Sequence, residues 1–357
     1  MRILLLSLVY PPPSDGGAIV VYEIAQALSD LGNDVVVVAP KIEFQGMAQG
    51  GVQLDEKAKV TRVQVPFADR PKVAARACYA NMLNSSIELA QEFKPDFILT
   101  FFHPFHRVTH AAVECAKRLS IPSLVKVEDI AFETPKGLLK KVQRGIEQKS
   151  NAKALNTASH VFVVNDYVAG RAKELYEVDG SKISILPNGV NTDRFQVLRK
   201  VIGKTVVFTG VMYYHRGLDF LIENAQEILE RNDGVRFKLV GAGPELAKLQ
   251  ELVKEKKLDQ YFEFTGWVGW PQIPGILAGA AIGLGPLKHT QVTHQALPIK
   301  VLEYMASGLP VVALENTLPE NVLKHGVNGY FVKDGGDFVD KVTKLLADES
   351  LNAEMGK

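Results

Sequence analysis

The segment Thr209-Gly210-Val211-Met212-Tyr213-Tyr214-His215-Arg216-Gly217 follows an apolar run and precedes a helical one, which is where doubly wound sheets bind ligands. Arg216 could clamp a diphosphate there, each charged hydrogen bond contributing about 1.5–3 kcal/mol. A solvated loop arginine is the plain alternative. The stretch Leu297-Pro298-Ile299-Lys300-Val301-Leu302-Glu303-Tyr304-Met305-Ala306-Ser307-Gly308 reads as a helix with proline near its first turn and glycine past its end. Lys300 would stand within a turn of the positive helix end, where anions are favoured, and Glu303 shares its face. Such groups suit a phosphate and ribose hydroxyls. A third anion site is suggested by Pro12-Pro13-Ser14-Asp15-Gly16-Gly17 before the first helix, where Gly16 and Gly17 let a phosphate approach the backbone. A glycine pair there can equally be only a tight turn.

Other motifs exclude more than they assign. Gly241-Ala242-Gly243-Pro244 follows a strand but lacks the third glycine of a dinucleotide fingerprint, so NAD is not indicated. Neither a Walker A sequence nor GxSxG occurs. His103, His106 and His110 could share a metal-binding face if a helix began near Pro104, although capping and packing roles are favoured without matching carboxylates. From Lys136 to Lys153 six basic residues stand against Glu147, interleaved with Leu138, Leu139, Val142 and Ile146. A solvated face packed on its own sheet is preferred there to a membrane-surface patch.

These groups need a scaffold, and the chain offers two series of alternating strands and amphipathic helices, the pattern of parallel sheets covered on both faces. At 357 residues, two domains are expected, with a cleft between them. The first series has strands at 2–9, 35–39, 97–101, 123–127, 160–164 and 183–186. Its helices are expected at 18–31, with Val21, Ile24, Leu28 and Leu31 on one face, and at 74–93, 109–119, 137–158 and 168–175. After Pro187-Asn188-Gly189 a second series has strands at 205–209, 235–240, 261–264, 281–285 and 310–314, and a helix at 337–346. The domains are therefore 1–188 and 189–357, with a hinge within 188–204 and a C-terminal tail that reads as truncated, stopping before it could pack. A net charge of +1 gives no global field for nucleic acid. Cys78 and Cys115 form no CxxC, so a reducing cytoplasm fits. No run reaches the roughly 18 apolar residues of a membrane span, so a soluble or peripheral protein is expected.

In order and spacing, the segments resemble the large retaining, metal-independent glycosyltransferase family of GT-B fold (family 4-like, group 1) that includes bacterial and archaeal mannosyl-, glucosyl- and N-acetylglucosaminyltransferases. The resemblance covers nearly the whole chain. It rests on Gly16-Gly17, on Val161–Asn165 with Ile185–Phe195, on Phe208-Thr209-Gly210 with Arg216-Gly217, on Leu239–Pro244, on Phe264–Val268 and on Lys300–Ala313. It implies an α/β GT-B fold of two Rossmann-like doubly wound domains facing a central cleft, the first binding the acceptor and the second the nucleotide sugar.

Residue by residue, the resemblance puts the Gly17 backbone on the β-phosphate and Arg216, in place of a usual lysine, on the diphosphate. The backbone of Ile299 and Lys300 faces the diphosphate, Glu303 holds the ribose, and the neighbourhood of Gly241 and Val268 surrounds the base. Thr209, Gly210 and Leu297 complete the donor-binding set. Three positions depart from the pattern. Val211 stands where the family has an arginine, leaving Lys300 to compensate. Gln295 stands eight residues before Glu303, where many members have a glutamate on the donor sugar. Glu128 falls where some relatives place a histidine, and Asp129 is a carboxylate that others use.

The expected function is retaining transfer of a hexose from a nucleotide sugar to an acceptor hydroxyl of a glycan, glycolipid or lipid-linked saccharide in cell-surface polysaccharide synthesis, with no cofactor and no metal. Arg216, Lys300 and Asp129, with Glu128 second, are the catalytic candidates; a capping role is the plain alternative for Asp129. An anionic membrane surface is a candidate partner, from the basic helix with Arg70, Lys72 and Arg76; nucleic acid is not. The rival readings are an inactive sugar-nucleotide-binding scaffold and a sugar-nucleotide epimerase.

Overall fold

The computed structural model describes residues 1–11, 16–41, 57–64, 71–104, 106–130, 137–196 and 203–357. They fall into two compact units, the first running to Asn188 and the second starting at Gly189. Of the expected site segments, Pro12–Asp15, Arg70 and Lys136 lie outside the described residues, as do the side chains of Lys72 and Arg76.

The first unit has strands β1 (Arg2–Leu6), β2 (Asp34–Lys41), β3 (Lys59–Gln64), β4 (Phe97–Phe101), β5 (Ser123–Val127), β6 (His160–Val163) and β7 (Ile183–Ile185). Its helices are α1 (Gly16–Asp30), α2 (Pro71–Phe93), α3 (Val108–Leu119), α4 (Leu138–Thr157) and α5 (Asp166–Tyr176). All strand pairs are parallel, in the order β3-β2-β1-β4-β5-β6-β7. Ile3, Leu4, Leu5 and Leu6 are all buried, as a strand covered on both faces requires. Because β1 pairs with β2 on one side and β4 on the other, the order reverses there, opening a crevice at the strands' carboxyl ends.

Strand β3, Lys-Val-Thr-Arg-Val-Gln, was not expected; it is an edge strand whose polar residues hide the apolar pattern while protecting the open edge. The buried face of α1 is Ala18 to Tyr22 with Ala25 and Gln26. Leu31, expected on that face, lies beyond the helix end and is 78% exposed. Helix α3 begins only at Val108, after Arg107 in left-handed conformation at φ 57°. His103 and His106 therefore sit in the loop after β4, and the three-histidine face does not form.

The second unit has strands β8 (Thr205–Thr209), β9 (Arg236–Val240), β10 (Phe262–Gly266), β11 (Ile282–Leu284), β12 (Val311–Leu314) and β13 (Gly329–Val332). They are parallel in the order β10-β9-β8-β11-β12-β13. Its helices are α6 (Leu218–Arg231), α7 (Leu246–Glu255), α8 (Ile273–Ala278), α9 (Ile299–Ala306), α10 (Gly335–Ala347) and α11 (Glu349–Gly356). The core joins Val206, Phe208, Leu239 and Ile282 of the sheet to Leu221, Ile222, Val339 and Val342 of the helices. The order reverses between β8 and β11. The expectation that the chain's end could not pack is corrected: α11 is capped by Asp348, buries Met355, and has Asn352 Nδ2 donating to the carbonyls of Ala281 and Leu345, both at 3.1 Å. Among the described residues, no helix is long and apolar enough to cross a membrane.

Candidate functional site

In the second unit the loops leaving β8, β9 and β10 are joined backbone to backbone. Gly210 N–H donates to the Val240 carbonyl at 2.9 Å, Met212 N–H to Ala242 at 2.8 Å, and Gly241 N–H to Gly266 at 2.9 Å. This packing explains Gly241: at φ +126° a Cβ would collide with the Gly210 carbonyl. The glycines hold the loops together, leaving the surface above them to whatever β8 and α9 present.

Helix α9 presents Lys300. It is the second residue of the helix, after Pro298 in the cap position, and the first turn carries no acidic residue. The side chain is only 9% exposed. Its ammonium lies 3.7 Å from the Phe208 ring centroid and about as close to Gly210, 3.0 Å from where a Cβ there would stand. Among the described residues Nζ has no hydrogen-bond partner. Burial holds its pKa well below the lysine range, the Arg216 charge lowers it further, and Glu303 partly opposes them. Arg216, half-buried in the turn Tyr214–Arg216, acts on the same space. Burial, then Arg216 and Lys300, lowers the neighbouring His215 to about 4. Two like charges are thus held in each other's field at the start of a helix, an arrangement that an anion would relieve.

Tyr304 fixes α9 to the strand. Its Oη accepts the Thr209 N–H at 2.7 Å and lies 3.1 Å from Thr209 Oγ1, and its ring fills the space that a Cβ on Gly283 would need. Glu303, 4% exposed, accepts the indole N–H of buried Trp270 on Oε1 at 2.7 Å. Trp270 is itself fixed by Arg194, 4.2 Å above its ring, and by Phe195 at 6.0 Å between centroids. Of the other expected donor residues, Leu297, Ile299 and Val268 are half-buried. Gln295 adopts a left-handed φ of 52° and its N–H donates to Asn316 at 3.3 Å, so its loop is tied to the β12 end. Val211 is half-buried between Gly210 and Met212.

In the first unit the two candidate carboxylates separate in character. Glu128 is held on both oxygens: Lys126 Nζ donates to Oε1 at 2.7 Å and Asn188 Nδ2 to Oε2 at 2.6 Å, while the same Nζ also donates to Asn188 Oδ1 at 2.8 Å. Lys126 is 1% exposed, so this closed network compensates a buried charge. Asp129, one residue on, is exposed beyond the end of β5. Gly16 and Gly17 are exposed as the first two residues of α1. At the end of β4, beside β5, His103 and His106 meet edge to face with centroids 4.8 Å apart, and burial, aided by His106, lowers His103 to about 3. His110 instead faces Ser150, its Nε2 2.9 Å from Oγ. Among the described residues no cluster of three His, Cys, Asp or Glu could hold a metal.

Sequence reasoning missed Lys126, Asn188, Trp270 and Tyr304. A lysine inside the apolar strand Ser-Leu-Val-Lys-Val was the available signal for the first. The others act over long sequence separations and left no local trace.

The model for Glycosyltransferase Family 4 matches residues 14–194, just over half of the chain. The chain belongs to glycosyltransferase family 4. Residues 203–348 match a second model, Glycosyl transferases group 1. Family relatives include a GDP-mannose-dependent alpha-(1-6)-phosphatidylinositol monomannoside mannosyltransferase of Mycobacterium tuberculosis, 30% identical over 55% of this chain and 54% of its own. A 2-deoxystreptamine glucosyltransferase of Streptomyces kanamyceticus is 23% identical over 94% of this chain and 87% of its own. The chain spans about half the length of several of the curated relatives it matches. Among solved structures, Anabaena HepE with UDP-glucose superimposes with TM-score 0.74 at 17% identity, covering 100% of this chain and 92% of that one. WaaG, a glycosyltransferase involved in lipopolysaccharide biosynthesis, gives TM-score 0.74 at 16% identity over 100% and 93%. The fold is therefore GT-B.

Proposed function

We propose that the protein is a retaining hexosyltransferase that moves a sugar from a nucleotide-sugar donor to an acceptor hydroxyl without a metal. The observation that carries this reading is the ammonium of Lys300, buried beside Gly210 in the field of Arg216 with no hydrogen-bond partner among the described residues. A diphosphate bound there gains two cations and the N–H groups of Ile299 and Lys300. As the glycosidic bond breaks, charge grows on the leaving phosphate, and the same cations stabilise it more than they did the ground state. They supply the countercharge that a metal supplies elsewhere. Glu303, oriented by Trp270, accepts from the ribose hydroxyls. Gln295 is assigned to the sugar and the surroundings of Gly241, Val268 and Leu297 to the base; in the first unit Gly17 is assigned to a phosphate.

In the first unit Asp129 is the carboxylate assigned to the acceptor hydroxyl or the sugar cation, and Glu128 is assigned to holding the strand end through Lys126 and Asn188. The acceptor is a glycan, glycolipid or lipid-linked saccharide, with the enzyme cytoplasmic and peripheral at the inner membrane face. The named relatives support the donor class: the mycobacterial enzyme is GDP-mannose-dependent and HepE holds UDP-glucose.

A thermal-shift panel of UDP-, GDP- and ADP-sugars, with and without EDTA, tests the reading. One nucleotide should raise Tm, the shift should survive EDTA, and that donor should be consumed when acceptor is supplied. Binding without turnover on any acceptor would favour the inactive scaffold; no shift with any donor would overturn the site.

A further inference from the structure

The first half of helix α4 carries its large apolar residues away from its unit. Leu138 is 78% exposed, Leu139 88%, Val142 55% and Ile146 64%. The buried residues of the same helix are Asn151, Ala154 and Leu155. With 3.6 residues per turn, the four exposed side chains fall within an arc of about 100°, opposite the buried face. They account for much of the large apolar surface left open in the described residues. The helix packs on its own unit, but only through its second half; the apolar stripe at its start covers nothing among the described residues.

The charges around the stripe identify what could cover it. Helix α4 has Lys140, Lys141, Arg144, Lys149 and Lys153 against the single acid Glu147, in a chain whose net charge is only +1. Lys140, Lys141, Lys149 and Lys153 are exposed, and Glu147 Oε1 accepts from Gln143 Nε2 at 2.9 Å. An apolar stripe bordered by lysines matches a layer that is apolar below and anionic above. A second copy of the chain would bring like charges together, and a polyanion without an apolar layer would leave the stripe in water.

We propose that the first half of α4 is a membrane-docking surface. Leu138, Leu139, Val142 and Ile146 enter the boundary between headgroups and acyl chains of an anionic bilayer, and the flanking lysines pair with lipid phosphates. The inference rests on the proposed function only in expecting an acceptor at the bilayer; docking itself needs no turnover.

Flotation with vesicles of phosphatidylcholine, alone or with phosphatidylglycerol, separates the two. The protein should float with the phosphatidylglycerol vesicles, and Lys149→Gln with Lys153→Gln, on the same face as the stripe, should lower partitioning on the order of fivefold per lysine. The triple substitution Leu138→Ser, Leu139→Ser, Val142→Ser should lower it by about tenfold or more, also at salt concentrations that screen the lysines. Melting temperature and any donor-induced shift should match the wild type; Leu139→Ser alone serves if the triple variant does not fold. Flotation indifferent to the serine substitutions would overturn the proposal, as would a dimer in sedimentation velocity that the same substitutions dissociate without any vesicle binding by the wild type. Loss of flotation with donor binding intact bears on docking alone, and absence of donor binding with flotation intact bears on the proposed function alone.

Discussion

Two buried lysines divide the molecule's chemistry. Lys126, in the first unit, donates to Glu128 and Asn188 in a closed network. Lys300, in the second, is nearly as deep yet has no hydrogen-bond partner among the described residues and faces a second cation. Burying a charge costs several kcal/mol unless it is paired; Lys126 is paired within the fold, whereas Lys300 is the cation of the diphosphate site proposed above. On that proposal, a pairing completed in the chain serves architecture, and one left incomplete serves binding.

Crossing the two lysines with stability and activity gives the sharpest contrast. Lys126→Met should lower stability by about 1–3 kcal/mol in denaturant unfolding, because it leaves the Glu128 carboxylate with one fewer donor beside a buried apolar side chain, and Glu128→Gln in the same background should recover part of the loss. Lys300→Met should do the reverse, leaving the unfolding midpoint equal or higher while kcat/KM falls on the order of 10²–10³-fold, as removal of a group stabilising the leaving charge does. Equal effects of the two substitutions on both readouts would erase the distinction.

The neighbouring carboxylates extend the contrast. Asp129→Asn should lower kcat by at least about tenfold with an unchanged melting curve, whereas Glu128→Gln should act first on stability; unchanged turnover of the Asp129 variant would remove it from the mechanism. A smaller effect is expected at Trp270. With Phe in its place, Glu303 loses one charge-assisted hydrogen bond, and KM for the donor should rise roughly tenfold with kcat nearly kept.

A separate effect, confined to acid, is in pH dependence. His103 titrates at about 3 in the folded protein against 6.5 in a free chain. Between these values the unfolded chain binds the extra proton, so stability falls as pH drops through that window and is unaffected above it. His103→Gln should flatten that part of the acid unfolding curve.

Much of the scaffold was legible from apolar spacing. The strands Phe97–Phe101, Ser123–Val127 and Thr205–Thr209 and the helix holding Lys300 and Glu303 follow directly from it. The strands β3 and β13 did not: the first carries Lys, Thr, Arg and Gln at a sheet edge, and the second is four residues long. Local geometry was legible where the backbone demanded a residue type, as at Gly210 and Gly241, both at positive φ. Site chemistry was hidden where tertiary packing sets the role: Glu128 and Asp129 are adjacent in sequence, and only the positions of Lys126 and Asn188 separate them. The open stripe of α4 was hidden for the same reason, since its amphipathic pattern does not say which side meets the sheet.

The central claim, that Lys300 waits for a diphosphate, is tested most directly by calorimetric titration of the best-binding nucleoside diphosphate in two buffers of different ionisation enthalpy. A lysine whose pKa is lowered in the free protein and restored by an anion takes up a proton on binding at any pH high enough for the free protein to have begun to lose it. The titration is therefore run across rising pH, and proton uptake should grow along it. The account predicts net proton uptake by the wild type, and weaker binding without uptake by Lys300→Met. Equal affinity and equal proton exchange in both proteins would contradict it.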